Sequence, residues 1–454
     1  MSRYRVYLGC LFLLLVYLGA KSIIRPGFEA NLGGDGGSYV AVGERYLATG
    51  DVFDLKRPPL YPLIVAWTGG VGDQATEDLG KRVSLPLGIL QSALTVVFFI
   101  GLFLVLFSHT GNFWFSLVCS SVGLIHRGVF VYDAFIHTEA VTHFLLGGFC
   151  LSVYSLRNSR HPALTIIFAA FLTMLTMIRP EMWFLSLIGL TMVTITKLRP
   201  WRSALLIAVM ISLVPLYYFW RNSVESGFAS YSVNGRSIYV HATDVNRWRL
   251  EVSPWKTESI RFVLDLYETD PPPDKAIDYY PRVSAMDTEA YNRAYQPFKN
   301  AFWESLPQAF LVKPWAFCYD LFELFRYAYS MRDKYTDKNL STFERSAFFG
   351  MGLFQTAVQL ISGLIAVLSG PFLLFGLYRG WCRIREIDVF LCLWAVLASQ
   401  VTVLVILSTS IFPNIRHRQV LHGSLIFLAS LVIYEVSRRV REGWARRFSL
   451  RLDR

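Results

Sequence analysis

The sequence predicts an all-α, polytopic membrane protein of about ten transmembrane helices, with a loop region on one side of the bilayer. Three observations predict it. The composition is 54% hydrophobic, 15% aromatic and only 17% charged, with a mean hydropathy of +0.39, outside the range of soluble globular chains. Uncharged apolar runs recur at a length that crosses the hydrocarbon layer, which takes about 20 residues of helix. Lys and Arg gather in alternate loops, the bias that fixes the orientation of a multi-pass chain.

The spans are 4–24, 83–108, 112–132, 140–156, 162–178, 182–196, 203–220, 347–378, 389–412 and 421–437. With all of them in place, Arg3 and Arg5, Arg157 and Arg160, Lys197, Arg199 and Arg202, Arg379, Arg383 and Arg385, and the Arg-rich tail fall on one side. That side is read as cytoplasmic and holds both termini. The net charge of +11 is then mostly an orientation signal, and no soluble basic domain remains to bind nucleic acid. The first span reads as an anchor, because its apolar stretch exceeds a signal-peptide core and Ala20-Lys21-Ser22 is a poor cleavage site. Cys10, Cys119, Cys150 and Cys392 lie in spans and Cys382 in a cytoplasmic loop, leaving Cys318 alone outside and no disulfide framework. The chain divides into an N-terminal transmembrane module, 1–221, with a first outer loop at 25–82; an extracytoplasmic region, 222–345; C-terminal transmembrane helices, 346–437; and a basic cytoplasmic tail, 438–454.

The outer loops hold the residues that suggest chemistry. The first opens with Asn31-Leu32-Gly33-Gly34-Asp35-Gly36-Gly37-Ser38-Tyr39, one carboxylate among four glycines. Without Cβ atoms these neighbours let a bulky substrate approach Asp35; the plainer alternative is a flexible exit from the membrane with a helix-capping Asp. Tyr39, Val42, Tyr46 and Leu47 recur at helical spacing, which predicts a short interfacial helix ended by Gly50. Lys56-Arg57-Pro58-Pro59-Leu60-Tyr61-Pro62 then leads into an apolar stretch too short to span, a second interfacial helix anchored by Trp67.

The second outer loop places Asp133, His137 and Glu139 close together at a membrane boundary. They fit ligation of a divalent ion or a solvated interface, but Glu139 opens an apolar span, where a charge is costly unless paired or used. The third is a tight Arg179-Pro180-Glu181 turn, either a helix-end ion pair or a guanidinium aimed at an anion. The seventh span ends in Tyr217-Tyr218-Phe219-Trp220-Arg221, an aromatic belt meeting a cation. The large region that follows has charges of both signs, Pro271-Pro272-Pro273 and a helix-like run at 302–329, and suits a small helical cap. In the last loop Arg416 and Arg418 flank His417 on the side where cations are disfavoured. Binding a phosphate would justify them, since a guanidinium offers paired donors; snorkelling to headgroups is the alternative.

Asp35 with Tyr39, the run 41–50 and Arg57-Pro58-Pro59-Leu60-Tyr61-Pro62-Leu63 resemble the first outer loop of the GT-C glycosyltransferases, the superfamily of aminoarabinose transferases and protein O-mannosyltransferases. His137-Thr138-Glu139-Ala140 is similar to the acidic element of their second outer loop, and Arg179-Pro180-Glu181, Leu306-Pro307-Gln308 and Arg416-His417-Arg418 to further family features. The resemblance is good over the N-terminal transmembrane part and loose beyond it.

It implies inverting transfer of a sugar from a polyprenyl-phosphate-linked donor to a lipid, glycan or protein acceptor on the outer face. Asp35 would be the general base, with Glu139 or Asp133 as a second carboxylate. Arg57, Arg179, Arg416 and Arg418 would hold the donor phosphate, and Tyr39, Tyr61, His137 and Glu181 the substrates. No cofactor and no essential metal are expected, and the expected location is a bacterial inner membrane with the site facing the periplasm or exterior. A transporter or flippase of a lipid-linked saccharide is the rival reading. It would place charges near the bilayer midplane and repeat its halves, whereas this chain gathers its charges at the outer ends of the spans.

Overall fold

The computed structural model describes residues 3–24, 27–32, 36–54, 57–69, 83–125, 129, 133, 135–158, 161–195, 201–226, 231, 247–269, 288–312 and 415–452. The spans expected at 347–378 and 389–412 lie outside these residues, as do Cys318, Cys382 and Cys392.

Among the described residues the regular structure is helical, apart from a two-residue antiparallel pairing of Ala30–Asn31 (β1) with Val83–Ser84 (β2). In order, the helices are α1 (Arg3–Ile24), α2 (Gly36–Thr49), α3 (Leu60–Trp67), α4 (Leu85–Thr110), α5 (Phe113–Leu124), α6 (Glu139–Asn158), α7 (Pro162–Ile178), α8 (Glu181–Ile195), α9 (Trp201–Ser226), α10 (Arg247–Val252), α11 (Glu258–Thr269), α12 (Thr288–Val312) and α13 (Ile415–Leu452). Four stretches are long and apolar enough to cross a bilayer: Arg3–Ser22, Leu85–Thr110, Glu139–Leu156 and Trp201–Glu225. Phe113–Leu124, Pro162–Ile178 and Met182–Thr194 are apolar but shorter.

Within the span expected at 112–132, Phe113–Leu124 is helical, and most of the remainder lies outside the described residues. One expectation differs in the structure. The loop expected before the last span is helix instead. Ile415–Leu452 is one continuous α-helix, because no proline interrupts it, and it takes in both the arginine pair and most of the basic tail. Local chemistry sets the ends of α4 and α5. Ser84 caps α4 by accepting the Leu87 N–H, with Pro86 in the first turn. Gly111 then ends α4 at φ 64°, a conformation that suits glycine, and the Asn112 side chain caps α5.

α6 is the central helix. Of its apolar window 83% is buried, against 22% for α1 and 28% for α9, whose Tyr4, Tyr7, Leu205 and Leu206 point outward as lipid-facing side chains would. α4, α7 and α13 pack around α6, and α5 packs on α4, α1 and α13. The rings of Phe98 and His143 meet at 5.1 Å between α4 and α6, and His422 of α13 donates from Nε2 to the Gly123 carbonyl of α5 (3.0 Å).

These contacts fix which helix ends lie together. His109, at the end of α4, bonds Tyr154 near the end of α6, and Tyr434 of α13 donates to the Thr110 carbonyl (3.3 Å). At the opposite end Gln91 of α4 reaches the residues just before α6, and Lys21 of α1 faces Asp133. Arg3 and Arg5 therefore share an end with the Arg438 segment of α13, away from the end that carries α2 and α3.

The short α2 and α3 pack on each other at that second end. The chain entering β1 crosses α4 so closely that a Cβ on Gly88 would lie 1.7 Å from the Phe28 carbonyl oxygen. Gly88→Ala should displace this crossing and destabilise the protein by about 1–3 kcal/mol. Gly19→Ala, with nothing within 4 Å of the new methyl, serves as the control in thermal unfolding in detergent.

Candidate functional site

Six of the residues singled out in the sequence, Tyr39, Arg57, Tyr61, Asp133, His137 and Glu139, gather at the end of the bundle built from α2, α3 and the beginnings of α4 and α6. Tyr61, the second residue of α3, is fully buried. Its hydroxyl donates to Gln91 Oε1 of α4 (2.9 Å), and Gln91 Nε2 donates to the carbonyls of Asp133 (2.9 Å) and Phe135 (3.1 Å). One amide thus ties α3 to the segment leading into α6. Burial, and next the Glu139 carboxylate, push the Tyr61 phenol well above its ordinary value, so it remains a neutral donor.

The Tyr61 ring packs edge-on against Tyr39 of α2, with centroids 5.0 Å apart. On Tyr39 sits Arg57: its guanidinium carbon lies 4.6 Å from the ring centroid and Nη1 donates to the Tyr39 hydroxyl (3.2 Å). The Arg57 backbone is held by its N–H to Asp54 Oδ1 (2.9 Å). Glu139, 1% exposed, opens α6, where the helix dipole favours a carboxylate, and His137 and Thr138 beside it are also buried. Gly36 starts α2 against this segment, and a Cβ there would lie 3.0 Å from the Ile136 carbonyl oxygen.

Asp133 occupies the floor beneath, 1% exposed. Tyr17 of α1 donates to its Oδ2 and Thr95 of α4 to its Oδ1, both at 2.9 Å, while buried Lys21 faces it. Burial pushes the carboxyl up to about 7, against the opposing pull of Lys21, Tyr17 and Thr95.

A second clamp holds the first loop. Arg221, near the end of α9, pairs with Asp51 (3.3 Å) and lies 3.9 Å over the Phe53 ring, while Arg45 donates to the Phe53 carbonyl. The Phe53 backbone N–H, more than Arg221, lowers the Asp51 carboxyl.

Of the residues expected from the sequence, the structure brings Tyr39, Arg57, Tyr61, Asp133, His137 and Glu139 into one region. Arg179 stands at the C-terminal end of α7 and Glu181 begins α8. Asp35, Gly33 and Gly34 lie outside the described residues, as do the side chains of Glu181, Arg416 and Arg418. Sequence reasoning missed Tyr17, Lys21, Gln91 and Thr95. Their signal was spacing: Tyr17 with Lys21, and Gln91 with Thr95, are i, i+4 polar pairs, each on one face of an apolar helix. Comparisons with protein-family models, with curated proteins and with solved structures find no match for this chain.

Proposed function

We propose that the chain is an integral membrane glycosyltransferase of the GT-C kind, with about ten spans, that moves a sugar from a polyprenyl-phosphate-linked donor to a lipid, glycan or protein acceptor at the outer face of a bacterial inner membrane. The observation that carries this reading is the convergence of α2, α3 and the start of α6, which sets Arg57, Tyr39, Tyr61 and Glu139 together beside Gly36, the chain neighbour of Asp35. In this reading Asp35 takes the proton from the acceptor hydroxyl as it attacks the anomeric carbon. The bond to the donor phosphate breaks, and the anion that leaves is stabilised by guanidinium donors.

Arg57 is the phosphate contact already oriented by an aromatic platform, with Arg179, Arg416 and Arg418 as further candidates. Of the two acidic residues before and at the start of α6, Glu139 opens the helix beside Tyr61 and takes the role of second carboxylate, whereas Asp133 joins α1 and α4 from beneath. The buried tyrosines and His137 would line the substrate.

The paired geometry of Arg57 gives a first test. Arg57→Lys keeps the charge but loses the planar fork and the stacking on Tyr39, and should reduce transfer by about tenfold or more. Full activity of the Lys variant would leave Arg57 a structural cation. The function itself is tested by giving the purified protein a polyprenyl-phosphate sugar in detergent. A transferase converts the donor and releases polyprenyl phosphate, whereas a flippase moves it across liposomes unchanged.

A further inference from the structure

We propose that Arg249 is the anchoring cation of an oxyanion-binding site within α10, α11 and α12, separate from the residues assigned to sugar transfer. Arg249 is 1% exposed, the largest side chain so deeply buried among the described residues. Its guanidinium carbon lies 4.5 Å from the Phe302 ring centroid, and its Nε donates to Ser305 Oγ (3.1 Å). Ser305 is itself oriented by donating to the Phe302 carbonyl (3.1 Å). The two terminal nitrogens, Nη1 and Nη2, have no hydrogen-bond partner among the described residues.

Among the described residues of these three helices and their links, the following acceptors have other donors. Glu251 pairs with Arg247 (2.8 Å), Glu304 accepts from the Thr257 hydroxyl (2.6 Å), and Gln308 Oε1 accepts from the Trp255 N–H (3.0 Å). Lys256 donates to the carbonyls of Leu250 and Glu251 at the end of α10, and the Arg249 carbonyl accepts from Ser253 (2.8 Å). Burial pulls the guanidinium down to about 10, so it is still a cation at neutral pH.

A buried charge without a partner is among the costliest groups a fold can hold, and among the described residues the contacts of this guanidinium are the Phe302 ring and Ser305, with Leu250, Ile260, Val263 and Phe298 of the same three helices also buried. What orients this one is a ring beneath the guanidinium plane and a hydroxyl on Nε. That arrangement leaves the two terminal N–H groups as a fork for one acceptor with two oxygens, which is the geometry of a carboxylate or a phosphate. The ligand class is therefore an oxyanion, supplied either free in solution or as a lipid headgroup.

The experiment measures thermal unfolding of the full-length protein. In neutral detergent it is titrated with inorganic phosphate or acetate against chloride at matched ionic strength; in nanodiscs, phosphatidylcholine with and without phosphatidic acid is compared. Wild type should show a saturable rise in Tm with at least one of these. Arg249→Lys keeps the charge but loses the fork and should weaken the apparent affinity by about tenfold; Ser305→Ala should weaken it less, by about threefold. A response to phosphate or acetate assigns a free anion, and a response to phosphatidic acid alone assigns a lipid headgroup. No saturable response to any of the three, or equal affinity in wild type and Arg249→Lys, overturns the proposal. Should Arg249→Lys fail to fold, the comparison rests on Ser305→Ala, whose unchanged affinity would likewise overturn it.

Discussion

Asp133→Ala is expected to destabilise the bundle by about 3–5 kcal/mol, the usual consequence of removing one partner from a buried charged cluster. The substitution takes the counter-charge from Lys21, itself 2% exposed, and the acceptor from the hydroxyls of Tyr17 and Thr95. It also loosens the join between α1, α4 and the segment entering α6, since the donors sit on α1 and α4 and Asp133 itself on that segment. Asp133→Asn, which keeps one carbonyl acceptor, should cost less.

The pH dependence carries a sign. The folded carboxyl is raised to about 7, whereas an unfolded Asp titrates near 3.9. The folded state therefore binds more protons between these values, and the contribution of this group is fully present below about 4 and lost as pH rises to about 7. Tm measured in detergent at pH 5 and pH 8 should fall across that window in wild type and lose this fall in Asp133→Asn. An unchanged slope in the variant would mean that another group sets it.

How much of this was legible in the sequence follows from what a linear pattern can encode. α2 was readable because Tyr39, Val42 and Tyr46 share one helical face, and α3 because a proline-led apolar run is too short to span. The crowding of Tyr39, Arg57 and Tyr61 was visible as composition but not as contact. Their attachment to the segment before α6 runs through Gln91, an amide in an apolar helix that accepts from Tyr61 and donates to backbone carbonyls more than 40 residues away. The fold of the Arg416 segment was misread because polar residues at a membrane boundary look like a loop, while α13 continues through them as helix. Nothing in the local sequence marks Asp133 as the residue bound by α1 and α4, since a carboxylate beside a span looks the same whether it faces water or a buried lysine. The three-helix group around Arg249 was legible only as a region of mixed charge.

Asp35→Asn is expected to lower transfer by about 100- to 10,000-fold, the usual loss when a general base is removed. Asn has nearly the same size and can still accept and donate hydrogen bonds, so the variant should assemble at normal level and bind the donor lipid. What it lacks is a basic oxygen to accept the proton of the acceptor hydroxyl. The glycines on both sides present no Cβ to a substrate, so losses from altered packing should be small.

The most direct measurement of the central claim uses wild type and Asp35→Asn side by side, purified in detergent and supplied with a labelled polyprenyl-phosphate sugar and a membrane lipid extract as acceptor. Release of polyprenyl phosphate and labelling of the extract are followed together. The reading predicts coupled release and transfer by wild type, and neither by a folded, donor-binding Asp35→Asn protein. Coupled transfer at near wild-type rate by the variant would contradict Asp35 as base, and an intact donor after incubation with wild type would contradict the glycosyltransferase reading itself.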